Sequence, residues 1–278
     1  MAAPRQSGLP ERAWVRRADA AIGRLVEWPA AVLVLADISV LFAGVISRFV
    51  FRKPLVWSDE AASILFLWLA VLGSVIALRR SEHMRMTALV AKAGPCARAL
   101  LEPVATCACL AFLLMMVWPA WEYAADERIV TMPALEISNA WRAAALPAGF
   151  ILMGVFAVLR LLRSADWRQT LLAVAIVAAL IASFWVARPL FQDLGRINLL
   201  IFFVGVTASS VLAGIPIAFA FGLGTFGYLA LTTSMPLSVV VSRMDEGMSH
   251  LILLAVPLFV FLGLMMEMAG LARALVDF

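Results

Sequence analysis

Charge is scarce in this sequence. Asp, Glu, Lys and Arg supply 14% of its 278 residues and hydrophobic residues 64%, where a soluble domain carries about 25% charged residues. Water therefore cannot be the solvent for most of its surface. Histidine is scarcer still: His83 and His250 are the only two, and neither has a His or Cys partner at ligand spacing, so no metal site is assigned. The three cysteines, Cys96, Cys107 and Cys109, form neither a metal pattern nor a disulfide framework. Cys107 and Cys109, two apart, point to different faces of a helix and read as small apolar packing residues. There is no G-x-S-x-G elbow and no P-loop G-x-x-x-x-G-K-[ST], and no catalytic pair can be assembled inside the apolar runs. No catalytic residue is assigned, and the enzyme class is set aside.

Two features suggest chemistry that their context excludes. The run Gly222-Leu223-Gly224-Thr225-Phe226-Gly227 fits G-x-G-x-x-G, with Asp245 and Glu246 at the offset a dinucleotide site uses. No strand precedes it, and Pro216 opens an apolar run instead, so these glycines read as places where helices approach closely. The net charge of +4 would suit nucleic acid. The basic residues flank apolar runs, however, which makes the lipid bilayer the expected partner, with no nucleic acid.

What is abundant is apolar runs of about 20 residues, each long enough to cross a bilayer. The expected fold class is an all-α polytopic membrane protein. Residues 1–27, with Arg5, Arg12, Arg16, Arg17 and Arg24, read as a basic cytoplasmic tail and not a cleaved signal. Spans are expected over 28–51, 57–78, 100–121 and 141–162. The loop with Arg79, Arg80, His83, Arg85, Lys92 and Arg98 is basic, as is the exit of the fourth span at Arg160, Arg163 and Arg168, whereas the loop 122–139 is acidic. The Lys and Arg bias places both ends of this four-helix unit in the cytoplasm. The first loop is the exception: Arg48, Arg52 and Lys53 fall outside, so either they pair with Asp59 and Glu60 or the boundary lies elsewhere.

A plain aliphatic fifth span, 170–186, leads back out to a short turn at Arg188, Asp193, Gly195 and Arg196. Sixth and seventh spans, 197–212 and 216–231, are separated by Gly214-Ile215-Pro216. A polar amphipathic stretch with Arg243, Asp245, Glu246 and Ser249 follows, then an apolar run over 250–268 with Pro257, Gly263 and Glu267. The helical pattern restarts at Leu271 just before the sequence stops, so a truncation, or one piece of a larger module, is expected.

Asp37 is the clearest charge inside a span, which makes it a functional candidate by default. The alternative, adopted here because Asp37 belongs to the four-helix unit, is a hydrogen bond to a neighbouring helix. The proline-broken segments at Pro216 and Pro257 are either simple kinks or discontinuous helices of the kind that line transport pathways.

Two stretches resemble a known family. The first comprises Arg48-Phe49-Val50-Phe51, Pro54-Leu55-Val56-Trp57-Ser58-Asp59-Glu60, Phe66-Leu67-Trp68 through Gly73, and Arg79-Arg80-Ser81-Glu82-His83. It is similar to the small (Q, DctQ-like) subunit of tripartite ATP-independent periplasmic (TRAP) transporters. The second comprises Gly214 to Ala220, Arg243-Met244, Leu253 to Phe259, Gly263-Leu264-Met265 and Gly270. It resembles the start of the large (M, DctM-like) subunit.

The resemblance implies a small-permease unit over 28–168, a connecting transmembrane helix over 169–190, and the N-terminal part of an ion-transporter-like elevator domain over 197–278. A family Q unit ends in the cytoplasm and an M unit begins outside, so a fusion needs one extra crossing, which the fifth span supplies. The implied activity is import of an organic anion, typically a carboxylate, delivered by a periplasmic binding protein and driven by a sodium gradient. The implied location is the bacterial inner membrane, with the N-terminus cytoplasmic. No cofactor is implied beyond sodium as coupling ion, held mostly by residues absent from this chain. Trp57 and Glu60 are expected to fix the outer end of the second span, Arg48 to be an interface or structural residue, Glu82 and His83 to sit at the cytoplasmic interface, and Pro257, Ser249 and Gly263 to lie near the pathway. Trp28, Trp118 and Trp121 read as interfacial anchors. Two other classes stay open: a non-transporting scaffold that assembles with a separate, fuller large permease, and an unrelated membrane anchor or enzyme.

Overall fold

A computed structural model of the chain describes residues 13–86, 94–163 and 167–270. Residues 1–12 of the expected basic tail, Lys92 and the restart at Leu271 lie outside the described residues, as does the side chain of Cys96. Among the described residues the fold is all-α, with one isolated bridge, Thr131 to Ser138. Five helices are long and apolar enough to cross a membrane, or six if one bent pair is a single span. This is an all-α polytopic membrane protein.

Four helices form the first unit: α1 (Ala13–Phe49), α2 (Val56–Arg80), α3 (Pro95–Asp126) and α4 (Ala140–Arg163). Helix α1 starts at Ala13 and not near Trp28, so the described part of the expected tail is helical. The reason is visible in its pattern: Val15 and Val26 are buried in the core, and Asp19 and Glu27 face the arginines at the end of α2. Pro29 in α1 and Pro103 and Pro119 in α3 do not end their helices, because neighbouring helices can satisfy the freed carbonyls of a membrane helix. Helix α2 ends where Ser81 adopts φ +61 and its N–H turns back to the carbonyls of Ala77 and Leu78, a left-handed cap that satisfies otherwise orphaned acceptors.

The core runs down the centre of this unit through Leu67, Val71, Val75, Leu113, Met116, Phe150 and Phe156. Gly149 lets Val71 press against the backbone of α4. Cys107 and Cys109 are both buried in α3 as packing residues.

Helix α5 (Trp167–Val186) packs along α3 through Ala173 and Val177 but leaves most of its side chains exposed. The expected turn at 188–196 instead contains a short helix, α6 (Arg188–Asp193), with Pro189 in its first turn, where a missing N–H costs nothing. The expected sixth and seventh spans are α7 (Ile197–Leu212) and α8 (Ile217–Thr232), and both are too short to pass as full crossings. They are separated at Gly214, whose φ of +85 a residue with a side chain adopts only with strain. Seven residues of α7, Leu200–Val206, wind as a π-helix. Gly224 of α8 packs directly on it: a Cβ there would meet the Phe202 carbonyl oxygen at 2.9 Å and Thr207 Oγ1 at 2.6 Å. The G-x-G-x-x-G run is thus a helix-packing surface.

Helix α9 (Ser238–Met248) follows, then α10 (Leu251–Met268). Pro257 does not break α10. The bend of 47° lies upstream, between α9 and α10 at Ser249 and His250.

Candidate functional site at the seam between the two units

Helices α8 and α9 lie against the first unit, and three clusters occupy or flank this seam. The most buried is built around Asp245 of α9, 2% exposed. Along α9, Val241, Asp245 and the following Ser249 recur every four residues, so they share one face, and that face packs on α3 and α4. Tyr123 Oη, from the last turn of α3, donates to Asp245 Oδ2 at 2.6 Å, and Arg142 Nη2 donates to the same oxygen at 2.6 Å. Arg142 Nη1 donates to Ser249 Oγ, which in turn donates to the Asp245 carbonyl at 2.6 Å. Asn139 orients the arginine by accepting from its Nε at 3.0 Å, and itself donates to Glu127 at 2.6 Å. A charge-assisted pair whose other donors and acceptors are also satisfied is the condition under which a buried ion pair is tolerated.

A second cluster is aromatic. The His83 ring lies edge-on to Phe219 of α8 at 5.5 Å, and Phe219 lies edge-on to Phe112 of α3 at 5.9 Å. His83 Nε2 is 3.1 Å from the Ser74 carbonyl. Burial pushes the His83 pKa below its ordinary value, and the bond to Ser74 opposes that shift. The Ile217 N–H, at the start of α8, donates to the Met84 carbonyl at 3.0 Å. A Cβ on Gly222 would lie 2.6 Å from the Phe112 ring, so the glycine is what admits the ring.

The third cluster ties the start of α1 to the arginine-rich ends of α2 and α4. Asp19 accepts from Arg79 and Arg163, each at 3.2 Å, and Glu27 accepts from Arg79 and Arg80, each at 3.0 Å. Gly23, on the same face as Asp19 and Glu27, leaves the space that the Arg79 guanidinium fills.

The residues singled out from the sequence fall unevenly on this arrangement. His83 is at the seam; Glu82 is exposed beside it. Arg48 reaches Asp59 at 3.4 Å, both half exposed. Glu60 does not join that pair. Its carboxylate accepts the backbone N–H groups of Ala134 and Leu135 at 2.9–3.0 Å and pins the loop between α3 and α4. Trp57 is exposed at the start of α2. Ser249 is spent on Arg142 and Asp245, Pro257 is buried in α10, and Gly263 is exposed with nothing within 4 Å of a Cβ.

Asp37 is fully buried, and the expected hydrogen bond to a neighbouring helix is absent: neither carboxylate oxygen has a partner among the described residues. Sequence reasoning missed Arg142 and Tyr123 and noted Asp245 only in a polar stretch and at the offset of the rejected dinucleotide motif. The signal for Asp245 was its spacing from Val241 and Ser249; nothing in the sequence ties it to Arg142, 103 residues away.

The geometry is that of a joint between two helical units, and two family models match the two units separately. Residues 37–167 match the family model described as "Tripartite ATP-independent periplasmic transporters, DctQ component", and residues 199–278 match its DctM component. The sialic acid TRAP transporter small permease protein SiaQ of Vibrio cholerae is 30% identical over 150 residues, covering 54% of this chain and 84% of that protein. The chain belongs to the TRAP transporter family. It carries DctQ-type and DctM-type sequence in one polypeptide, as an inner-membrane, multi-pass protein. The sialic acid TRAP transporter permease protein SiaT of Haemophilus influenzae is 24% identical over 272 residues, 92% of this chain and 44% of that protein. The isethionate TRAP transporter permease protein DctMQ of Oleidesulfovibrio alaskensis is 24% identical over 225 residues, 80% of this chain and 35% of that protein. The chain thus spans less than half the length of these two relatives.

Proposed function

We propose that this chain is the permease part of a TRAP-type secondary transporter that imports an organic anion handed over by a periplasmic binding protein, with a sodium gradient as the driving force. The observation that carries the reading is the order of the two family matches, DctQ type over 37–167 and DctM type over 199–278, on either side of helix α5. The division into a small-permease unit at 28–168, a connecting helix at 169–190 and an opening large-permease segment at 197–278 follows from it. The arginine-rich ends of α2 and α4 face the cytoplasm, with the N-terminus, in line with the Lys and Arg bias. The two longer relatives are named for sialic acid, a carboxylate, and isethionate, a sulfonate; an organic anion is therefore the fitting class, wider than carboxylates alone.

The test is uptake into proteoliposomes by the full-length gene product with its cognate binding protein. Uptake that collapses without the inward sodium gradient, and without the binding protein, is expected. Uptake indifferent to both would overturn the assignment.

A second reading, a scaffold that does not itself transport, is favoured by one observation: the buried Tyr123–Arg142–Asp245–Ser249 cluster is satisfied within the chain and acts as a structural joint. The two readings separate in the same assay. A scaffold restores uptake only when a separate large permease is supplied.

A further inference from the structure

The seam contains two cavities that share a wall. One, of about 200 Å³, is polar and lies between the ends of α2, α3 and α4 and the break before α8; Arg85, Glu102, Arg160, Gly214 and Pro216 line it. The other, of about 410 Å³, is apolar and runs between Phe112, Phe150, Phe219 and Gly222. His83 lines both.

The charges of the polar cavity do not balance. Its lining includes Arg79, Arg85, Arg160 and Arg163 against Asp19 and Glu102. Asp19 is taken by Arg79 and Arg163. Arg85 and Arg160 make no salt bridge among the described residues, and Arg160 donates only to Ser81 Oγ, at 2.8 Å. That leaves two guanidinium groups facing one carboxylate at the end of membrane-spanning helices, which is where phospholipid headgroups sit. Basic pockets between helices at this depth recognise anionic headgroups, and guanidinium groups match phosphate oxygens through paired N–H donors. The adjoining cavity, which has His83 as a common wall with the polar one, supplies what a free phosphate would have no use for, an apolar lining.

We infer that the seam binds one anionic phospholipid, its phosphate between Arg85 and Arg160 and an acyl chain in the apolar cavity lined by Phe112, Phe150 and Phe219. The lipid fills the space between the two units and bears on neither the substrate nor the coupling ion, so the site stands or falls apart from the transport assignment.

The experiment uses the full chain, purified and delipidated in detergent. Binding of dioleoylphosphatidylglycerol, dioleoylphosphatidylcholine and inorganic phosphate is read by native mass spectrometry. One phosphatidylglycerol per chain is expected to be retained in preference to phosphatidylcholine, with phosphate alone binding far more weakly. Arg85→Gln and Arg160→Gln should each weaken retention about fivefold, and Arg128→Gln, in the loop at the opposite end of α3, should leave it unchanged. Arg85 is exposed, so its variant reports on the site even where the Arg160 variant does not fold. Equal retention of the two lipids, unchanged retention in the Arg85 variant, or displacement of the lipid by phosphate at equal concentration would each overturn the proposal. The last two outcomes would point respectively to a protein segment in the cavity and to a simple anion site.

Discussion

One oxygen of Asp245 takes hydrogen bonds from both Tyr123 and Arg142, and the carboxylate is almost wholly out of solvent. Removing either charge strands the other in a low-dielectric seam, which costs about 3–5 kcal/mol. Arg142→Gln and Asp245→Asn should each lower the thermal unfolding temperature of the purified protein, and Tyr123→Phe should cost about 1–3 kcal/mol through the unmade bond. The double variant with both charges removed should lose less than the two single losses added; strict additivity would mean that the pair is not coupled. His83 gives the pH signature. Burial lowers its folded-state pKa below the unfolded reference of 6.5. Between the folded value and 6.5 the unfolded chain holds more protons, so stability rises with pH across that window and falls as the pH drops through it. Unfolding temperatures at about pH 7.5 and pH 5.5 should therefore differ by less in His83→Gln than in the parent protein.

At the scale of elements, apolar periodicity showed that helices exist but not how far they extend. Helix α1 is already formed well upstream of Trp28, where Asp19 and Glu27 meet Arg79, Arg80 and Arg163, and that pairing joins residues about sixty positions apart or more in the case of Asp19. Asp19→Ala should free Arg163 and leave Arg79 to Glu27 alone, cost about 1–3 kcal/mol, and expose the 13–27 stretch to limited proteolysis. Helices α7 and α8 read as spans from composition, yet they are short pieces turned at Gly214. Their contact is set by the missing Cβ of Gly224. Gly224→Ala should destabilise by about 1–3 kcal/mol through overpacking, whereas Gly263→Ala, with open space around it, should be close to neutral in the same melt.

For the whole molecule, the seam is what makes one body of two family-matched segments. Its polar end is the Arg142–Asp245 pair and its apolar end the His83–Phe219–Phe112 stack. If the seam rather than the connecting helix holds the units together, cleavage at a protease site inserted after Val186 should leave them co-purifying. The same cut combined with Arg142→Glu should release them. Retention in the cut Arg142→Glu protein would show that the apolar end suffices.

The class of solvent, the five long apolar helices up to Val186 and the family were legible in the amino-acid order alone. Each rests on local properties: runs of apolar residues, the placement of arginines at their ends, and short motifs such as Trp57-Ser58-Asp59-Glu60. The glycine run at 222–227 was also legible as a packing surface, since only its neighbours in sequence were needed to reject a cofactor. Tertiary structure alone decided the rest. Glu60 bonds two backbone N–H groups some 75 residues on and not Arg48, Ser249 bonds Arg142, and Asp37 is buried with no hydrogen-bond partner among the described residues. In each case the outcome depends on which distant group reaches the side chain once helices pack, and burial then fixes how strongly the two interact.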